Sequence, residues 1–220
     1  EAAAKNLTPV TLELGGKSPC VVDKNVNINE TAKRIIFGKY LNCGQSCTAP
    51  DYILVHASVK NDLINALKKN VIEMYGENPE DNDEYPRIIS DGHFDRICSL
   101  INKKNIIFGG NFNKQKRYIS PIFIDLDSSD DSIMNEEIFG PVLPIISFDN
   151  IEEVKNVINA KEKPLALYIF TKNRKFSDDL LQNISSGGAC VNDTMTQYAN
   201  PNLPFGGVGH SGIGDYHGEY

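Results

Sequence analysis

The chain has 220 residues, of which 40% are apolar and 23% charged, a composition typical of a globular protein with a proper core. Its formal net charge is −7 with acidic and basic residues interspersed, which argues against a nucleic-acid partner and against an anionic membrane surface. Apolar runs are short and broken by Pro and Gly, so none approaches the roughly 20 apolar residues of a membrane-spanning helix.

The first predicted elements are a short strand at 18–23 and a helix at 27–42. Asn27 is a potential N-cap with Glu30 three residues later, and apolar residues recur at helical spacing through the segment. A strand follows at 51–56. The next helix, 58–75, has an apolar face that we interpret as packing against a sheet, and this face consists of Val59, Leu63, Leu67, Val71 and Met74.

The rest of the chain continues the alternation of helices and strands. The predicted helices are 91–101, 150–160 and 174–184, and the predicted strands are 105–110, 117–126, 164–170 and 188–193. This alternation predicts an α/β fold with a largely parallel sheet flanked by helices. The acidic stretch 76–86 is interpreted as a solvated surface loop, and the Gly- and Pro-rich tail from residue 200 as irregular.

Cysteine usage indicates reduced thiols rather than disulfides or a metal site. The chain has five cysteines, an odd number, scattered along a length that needs no covalent staples. No metal is expected, because there is no C-x-x-C pair and the four histidines are dispersed.

Two cysteines lie close together in N-C-G-Q-S-C (42–47). Gly44 is a natural stop for the preceding helix, so Cys47 falls on a connection from helix to strand, where α/β enzymes commonly carry reacting groups. From spacing alone, Cys47 is either a buried structural thiol or a reactive one. Cys43 continues the buried helical stripe and is interpreted as packing.

Two further segments contain carboxylates with open interpretations. Glu13, in T-L-E-L-G-G-K-S-P (11–19), is either an exposed strand position or a partly desolvated general base with a raised pKa. The segment N-E-E-I-F-G-P-V-L-P (135–144) has the pattern of a solvated turn that enters a strand. Residues 207–212 match G-x-G-x-x-G, but the match follows L-P-F rather than a strand and is interpreted as loop.

Taken together, four motifs resemble those of the aldehyde dehydrogenase superfamily. L-E-L-G-G-K-S-P, G-Q-S-C, E-E-I-F-G-P-V and L-P-F-G-G-V-G-H-S-G occur in that family's order and spacing over nearly the whole chain. The variants A-P-D-Y, E-K-P-L-A-L-Y and S-S-G-G resemble its class 3, fatty-aldehyde-type branch.

The resemblance implies NAD- or NADP-dependent oxidation of an aldehyde, medium- or long-chain or aromatic, to a carboxylate. Cys47 would be the nucleophile that forms a thiohemiacetal and then a thioester, and Glu13 the general base that activates water. Glu137 would bind the nicotinamide ribose, Phe139 would pack near the nicotinamide ring and Phe205 would line the aldehyde tunnel. Cys43 stands where the family has no catalytic group.

The resemblance also implies a division of the chain. Residues 1–16 would end the dinucleotide-binding domain, 17–199 would form the catalytic domain, and 200–220 would be a truncated C-terminal segment. The family's cofactor-binding glycine motif and an oxyanion-stabilising Asn would lie upstream, so we expect the isolated 220 residues to turn over aldehyde negligibly. The full-length protein would be a cytoplasmic homodimer, or one tethered to the cytosolic face of an intracellular membrane only through a further C-terminal tail.

Three alternatives belong to other classes. The chain could be a catalytically silent fragment or binding module that retains the fold. It could be a thiol hydrolase that pairs Cys47 with a histidine, for which His56 and His210 are the candidates. It could also sense redox state through a disulfide between Cys43 and Cys47.

Overall fold

The structure, a computed structural model, describes residues 1–101 and 105–218. Its helices begin where the sequence offers capping side chains, as at Asn27, Ser90 and Asn150, each of which accepts a hydrogen bond from a following amide. The helices are α1 (Ala2–Lys5), α2 (Ile28–Tyr40), α3 (Lys60–Tyr75), α4 (Asp91–Leu100), α5 (Ile151–Asn159), α6 (Arg174–Asn183) and α7 (Thr196–Ala199). None of the helices in the described part of the chain combines the length and apolar composition that a bilayer span requires.

The strands are short and most belong to one sheet. In chain order they are β1 (Leu12–Glu13), β2 (Pro19–Val22), β3 (Tyr52–His56), β4 (Ile106–Phe108), β5 (Phe112–Asn113), β6 (Tyr118–Ile119), β7 (Ile122–Leu126), β8 (Val142–Phe148), β9 (Ala166–Phe170), β10 (Gly188–Val191), β11 (Phe205–Gly206), β12 (Gly212–Ile213) and β13 (Asp215–Tyr216).

The main sheet has seven strands in the order β10-β9-β2-β3-β8-β7-β4. Every neighbouring pair is parallel except β4 and β7, which are antiparallel. The central strands are almost wholly apolar and buried, with the partly buried His56 at the end of β3 as the exception, as is typical of parallel sheets covered on both faces. The predicted α/β fold with a largely parallel sheet is therefore confirmed.

The order of the strands brings three distant segments of the chain together. β2, β3 and β8 are neighbours and run parallel, so the segments that precede them meet at the same edge of the sheet. These segments are 15–18, 47–51 and 136–141. The amino edge of the sheet thus gathers the G-G-K, G-Q-S-C and E-E-I-F-G-P motifs.

The structure corrects two of the predictions from sequence. The predicted strand 117–126 is interrupted at Ser120–Pro121, because Pro121 has no backbone N–H to donate to a ladder. The stretch 76–86 is not wholly solvated, since Tyr85 is buried and its hydroxyl donates to the Ile119 carbonyl oxygen over 2.9 Å. The predicted face of helix 58–75 is confirmed, with Leu63, Leu67 and Val71 buried.

Short ladders attach the C-terminal tail to the start of the chain. β12 pairs with β1, so that Glu13 lies opposite Gly212, and β11 pairs with β13. Within the G-x-G-x-x-G match, Gly209–Ser211 form a single 3-10 turn and no helix opens, in agreement with the interpretation of this segment as loop.

Candidate active site

Cys47 lies in a turn between α2 and β3 and is half-buried. The Ala49 amide closes the turn by donating to the Ser46 carbonyl oxygen over 3.0 Å, and the hydroxyl of Tyr168 donates to the Thr48 carbonyl oxygen over 2.5 Å. Gln45 anchors the other side of the turn, because its Oε1 accepts from the Ile89 amide over 3.0 Å. These bonds fix the backbone on both sides of the thiol.

Gly44 is the point where the Cys47 turn touches the segment before β8. Its φ of +72° lies in the left-handed region, and a Cβ built at this position would lie 2.1 Å from the Gly140 carbonyl oxygen. Only glycine permits this approach. The predicted stop at Gly44 is wrong, because α2 already ends at Tyr40 with Leu41 as its C-cap. Gly44 instead lies in the turn that follows, where it allows the Cys47 turn to pack against the segment that contains Glu137 and Phe139.

The Cys47 thiol is surrounded by groups that disfavour its ionisation. Burial raises its pKa most, and the charges of Glu137 and Glu13 raise it further. The backbone N–H groups of Cys47 and Thr48 act in the opposite direction and lower it. Both carboxylates singled out from the sequence therefore lie within electrostatic range of this thiol.

Glu137 is half-buried, and its pKa is raised to about 7, chiefly by burial and then by the charge of Asp51. The Gly16 amide donates to its carboxylate and holds the pKa lower than burial alone would. The carboxyl group lines a cavity of about 480 Å³ together with residues 15–17, 134–136, 160–163 and 210–211. A carboxyl group with this pKa can accept or release a proton near neutral pH.

A buried ion pair lies next to the segment that contains Glu137. Lys17 and Asp51 form a salt bridge with side chains 8% and 4% exposed, and Oδ1 of Asp51 accepts from the Ile138 amide over 3.0 Å. The Nζ of Lys39 is also buried nearby and has no hydrogen-bond partner among the described residues. Burial lowers the pKa of Lys39 to about 8, while the charge of Asp51 opposes that shift.

Glu13 occupies an exposed strand position. Its pKa is nevertheless raised by partial desolvation, an effect that the electrostatic influence of the neighbouring His217 opposes. Glu13 is thus at an exposed strand position, as in the first interpretation, and also has the raised pKa of the second. The carboxylate is accessible to water and acts electrostatically on Cys47.

The two predicted aromatic site residues occupy different surroundings. Phe139 is half-buried with φ +50°, and its ring contacts that of His93 with centroids 5.9 Å apart. Phe205 is buried in an aromatic cluster with Tyr198, Tyr216 and His217. Desolvation raises the pKa of Tyr216 most, and the charges of Glu13, Tyr198 and Cys47 raise it further, so this tyrosine lies within electrostatic range of the thiol.

Reasoning from sequence missed the residues that position the site. Lys17, Asp51, His93 and Arg96 all contact the 136–139 segment, yet their partners lie 40 or more positions away in the chain. Lys17 and Asp51 lie inside the G-G-K and A-P-D motifs, and this position was the signal in the sequence that could have identified them.

The sequence alternatives for the thiols fare differently. Cys43 is buried, and its Sγ lies 3.4 Å from the Tyr85 hydroxyl, so its interpretation as packing is confirmed. Cys43 and Cys47 are not joined in a disulfide.

The histidines do not favour a thiol hydrolase. His56 lies at the carboxyl end of β3, away from the amino edge where Cys47 lies, and His210 pairs with Glu162. In residues 1–101 and 105–218, no three or more His, Cys, Asp or Glu side chains gather as a group able to hold a metal.

Comparison with known proteins identifies the family to which the chain belongs. The sequence profile described as "Aldehyde dehydrogenase family" matches residues 1–220, and the chain belongs to that family. It is 50% identical over 221 residues to aldehyde dehydrogenase family 3 member A2 of Mus musculus, covering 100% of this chain and 46% of the relative. It is 48% identical over 219 residues to the mouse "Aldehyde dehydrogenase, dimeric NADP-preferring", covering 99% of this chain and 48% of the relative.

A solved structure agrees with these relatives. The chain superposes on the substrate-bound state of Staphylococcus aureus AldH with a TM-score of 0.96 and 49% identity, covering 99% of this chain and 48% of that one. The similarity to a family 3 member over the full chain bears out the resemblance to the class 3 branch. The chain spans about half the length of the curated relatives it matches.

Proposed function

We propose that the chain contributes the nucleophile and general base of an NAD- or NADP-dependent aldehyde dehydrogenase. The observation that carries the proposal is a half-buried thiol, Cys47, on which two carboxylates, Glu13 and Glu137, act at the amino edge of the sheet. Membership of the family supports aldehyde oxidation as the reaction.

Cys47 is the group that attacks the aldehyde. Because its pKa is raised, the resting group is a thiol, and a carboxylate must take its proton as Sγ bonds to the carbonyl carbon. Glu137, with a pKa of about 7, and Glu13 are the candidates within electrostatic range. The product is a thiohemiacetal on Cys47, and the backbone N–H groups that lower the thiol pKa stabilise negative charge at this position.

Hydrolysis of the later thioester falls to Glu13. After hydride leaves the thiohemiacetal carbon, the acyl group remains bound to Sγ, and water must add to that carbon to release a carboxylate and restore the thiol. The exposed Glu13 can reach water, and its raised pKa favours proton acceptance.

The residues present fit the nicotinamide end of the cofactor. Glu137 lines the cavity beside Gly15 and Gly16. Its carboxylate can accept hydrogen bonds that the hydroxyl groups of a ribose donate. Phe139 offers an aromatic surface on the same segment. When bound, NAD or NADP supplies the hydride acceptor, and Glu137 and Phe139 are the residues of this chain that would hold it.

We propose a medium- or long-chain or aromatic aldehyde as the substrate. The aromatic cluster of Phe205, Tyr198 and Tyr216 supports this choice, because an apolar acyl chain needs an apolar surface close to the thiol. For the full-length protein we propose a homodimer, a state named in one of the relatives.

Aldehyde-protected alkylation tests the proposed nucleophile. The chain is treated with iodoacetamide with and without decanal, benzaldehyde or acetaldehyde, and each cysteine is quantified by peptide mass spectrometry. We expect decanal and benzaldehyde to slow alkylation of Cys47 more than acetaldehyde does, and to leave the half-buried Cys98 unaffected. Equal alkylation of Cys47 with and without every aldehyde would instead indicate a silent fragment that retains the fold.

A further inference from the structure

Four consecutive backbone carbonyl groups, those of residues 136–139, are all held by side chains. Lys17 Nζ donates to the Glu136 oxygen over 2.9 Å. Arg96 donates to the Glu137 oxygen over 3.3 Å and also to the Ile138 oxygen. His93 Nε2 contacts the Phe139 oxygen at 2.7 Å. We call Lys17, His93 and Arg96 the carbonyl clamp.

The tautomer of His93 follows from its two contacts. A carbonyl oxygen only accepts hydrogen bonds, so Nε2 carries the proton that is shared with Phe139. Nδ1 is then the acceptor, and Nε of Arg96 donates to it over 3.4 Å. Arg96 therefore orients His93 and also binds the backbone carbonyl groups of the segment directly.

The 136–139 segment contains a strained residue and lies outside the helices and strands. Phe139 has φ +50°, a left-handed conformation that costs a non-glycine residue about 1–2 kcal/mol and persists only where the surroundings enforce it. On the opposite side, the Ile138 amide donates to the buried Asp51, which is itself paired with Lys17. The backbone is thus bound from both sides while the side chain of Glu137 lines the cavity.

The bonded partners come from three separate parts of the fold. Lys17 precedes β2, Asp51 precedes β3, and His93 and Arg96 lie on α4. Arg96 forms an additional ion pair with Glu136 over 3.2 Å. Any displacement of α4 relative to the sheet would therefore be transmitted to residues 136–139, which include Glu137 and Phe139.

We propose that the carbonyl clamp positions Glu137 and Phe139 beside Cys47, with His93 and Arg96 acting as positioning residues for the reaction. The inference rests on the proposed function, in which Glu137 acts on the Cys47 thiol and on the nicotinamide end of the cofactor. His93 and Arg96 act through the backbone of the 136–139 segment rather than by contact with the reacting atoms.

The test is a double-mutant cycle between Arg96 and Glu137, read from the pH profile of Cys47 alkylation by iodoacetamide. In the parent chain, Glu137→Gln should move the profile to lower pH, because the negative charge of Glu137 raises the thiol pKa. In Arg96→Met, the same replacement should move the profile by less than half as much. Arg96→Lys, which keeps a donor, should give an intermediate value.

A matched control separates loss of the clamp from loss of any side-chain bond to a backbone carbonyl. Asn183 Nδ2 donates to the Asp179 carbonyl oxygen over 2.8 Å at an exposed position in α6, so Asn183→Ala should leave the effect of Glu137→Gln at its parent value. If Arg96→Met does not fold, as judged by circular dichroism, His93→Phe and His93→Gln replace it. The phenylalanine lacks the donor and should reduce the effect, whereas the glutamine amide should retain most of it.

The outcomes are distinct from those of the aldehyde experiment. An equal effect of Glu137→Gln in the parent chain and in Arg96→Met would overturn the inference, as would no effect in either. Iodoacetamide alone is the probe, so the cycle remains interpretable even if decanal fails to protect Cys47. That failure would contradict the proposed function instead.

Discussion

Replacing Gly44 by alanine tests the contact that brings the two halves of the site together. The added Cβ would lie 2.1 Å from the Gly140 carbonyl oxygen, whereas real contacts of this kind stay above 3.0 Å. Gly140 cannot retreat freely, because a Cβ at that position would itself lie 2.5 Å from Cδ1 of Ile97. The Cys47 turn and the 136–139 segment must therefore move apart.

The expected loss of stability has two contributions. The left-handed φ of +72° costs alanine about 1–2 kcal/mol, and overpacking in a buried region costs about 1–3 kcal/mol. Together they predict a loss of about 2–5 kcal/mol. For a chain of this length each kcal/mol lowers Tm by roughly 2–4 °C, so Tm should fall by about 4–20 °C.

Urea and thermal unfolding followed by far-ultraviolet circular dichroism measure this loss. Gly92→Ala is the matched control, since Gly92 lies in α4 and a Cβ there meets nothing within 4 Å. That variant should gain about 0.5–1 kcal/mol from the reduced freedom of the unfolded chain. A Gly44→Ala protein as stable as Gly92→Ala would refute the close approach of the two segments.

Three further predictions concern charge, capping and packing. The pKa of Glu137 is about 7 in the folded state against an ordinary value of 4.5. Between these values the folded state binds a proton that the unfolded state has lost, so the free energy of unfolding should fall as pH rises. Glu137→Gln should flatten that fall in a series of urea titrations. Asn150→Ala should cost about 1 kcal/mol, because Asn150 caps two amides of α5, while Asn150→Ser, an uncharged capping residue, should recover most of it in the same assay. Leu67→Ala should cost about 2–5 kcal/mol at a buried position, whereas Leu181→Ala, at an exposed one, should change the free energy of unfolding by under about 1 kcal/mol.

Periodicity and capping residues predicted most of the fold. The helix that begins at Asn27 and the buried face of the 58–75 helix were readable because both depend on residues three or four positions apart. Pro121 was a local signal that the strand at 117–126 must break, but the apolar residues around it outweighed it in the sequence. Tyr85 enters the core from an acidic stretch, and no local pattern marks such a residue.

The candidate site was readable from sequence only in part. Order and spacing of motifs singled out Cys47, Glu13 and Glu137, and the structure brings both carboxylates within electrostatic range of the thiol. The carbonyl clamp was not readable, because Arg96 and Glu137 meet only through the packing of α4 against the amino edge of the sheet. Which segments share that edge depends on the strand order, and chain order does not reveal it.

The most direct test of Cys47 as the nucleophile is acyl transfer from 4-nitrophenyl acetate, followed by peptide mass spectrometry. Attack by the thiolate releases 4-nitrophenolate and leaves an acetyl thioester on the attacking sulfur. We predict that the acetyl group is found on Cys47 and not on the buried Cys43 or Cys20, and that Cys47→Ser abolishes the rapid release of 4-nitrophenolate. Acetylation of a different cysteine, or unchanged release by Cys47→Ser, would contradict the assignment.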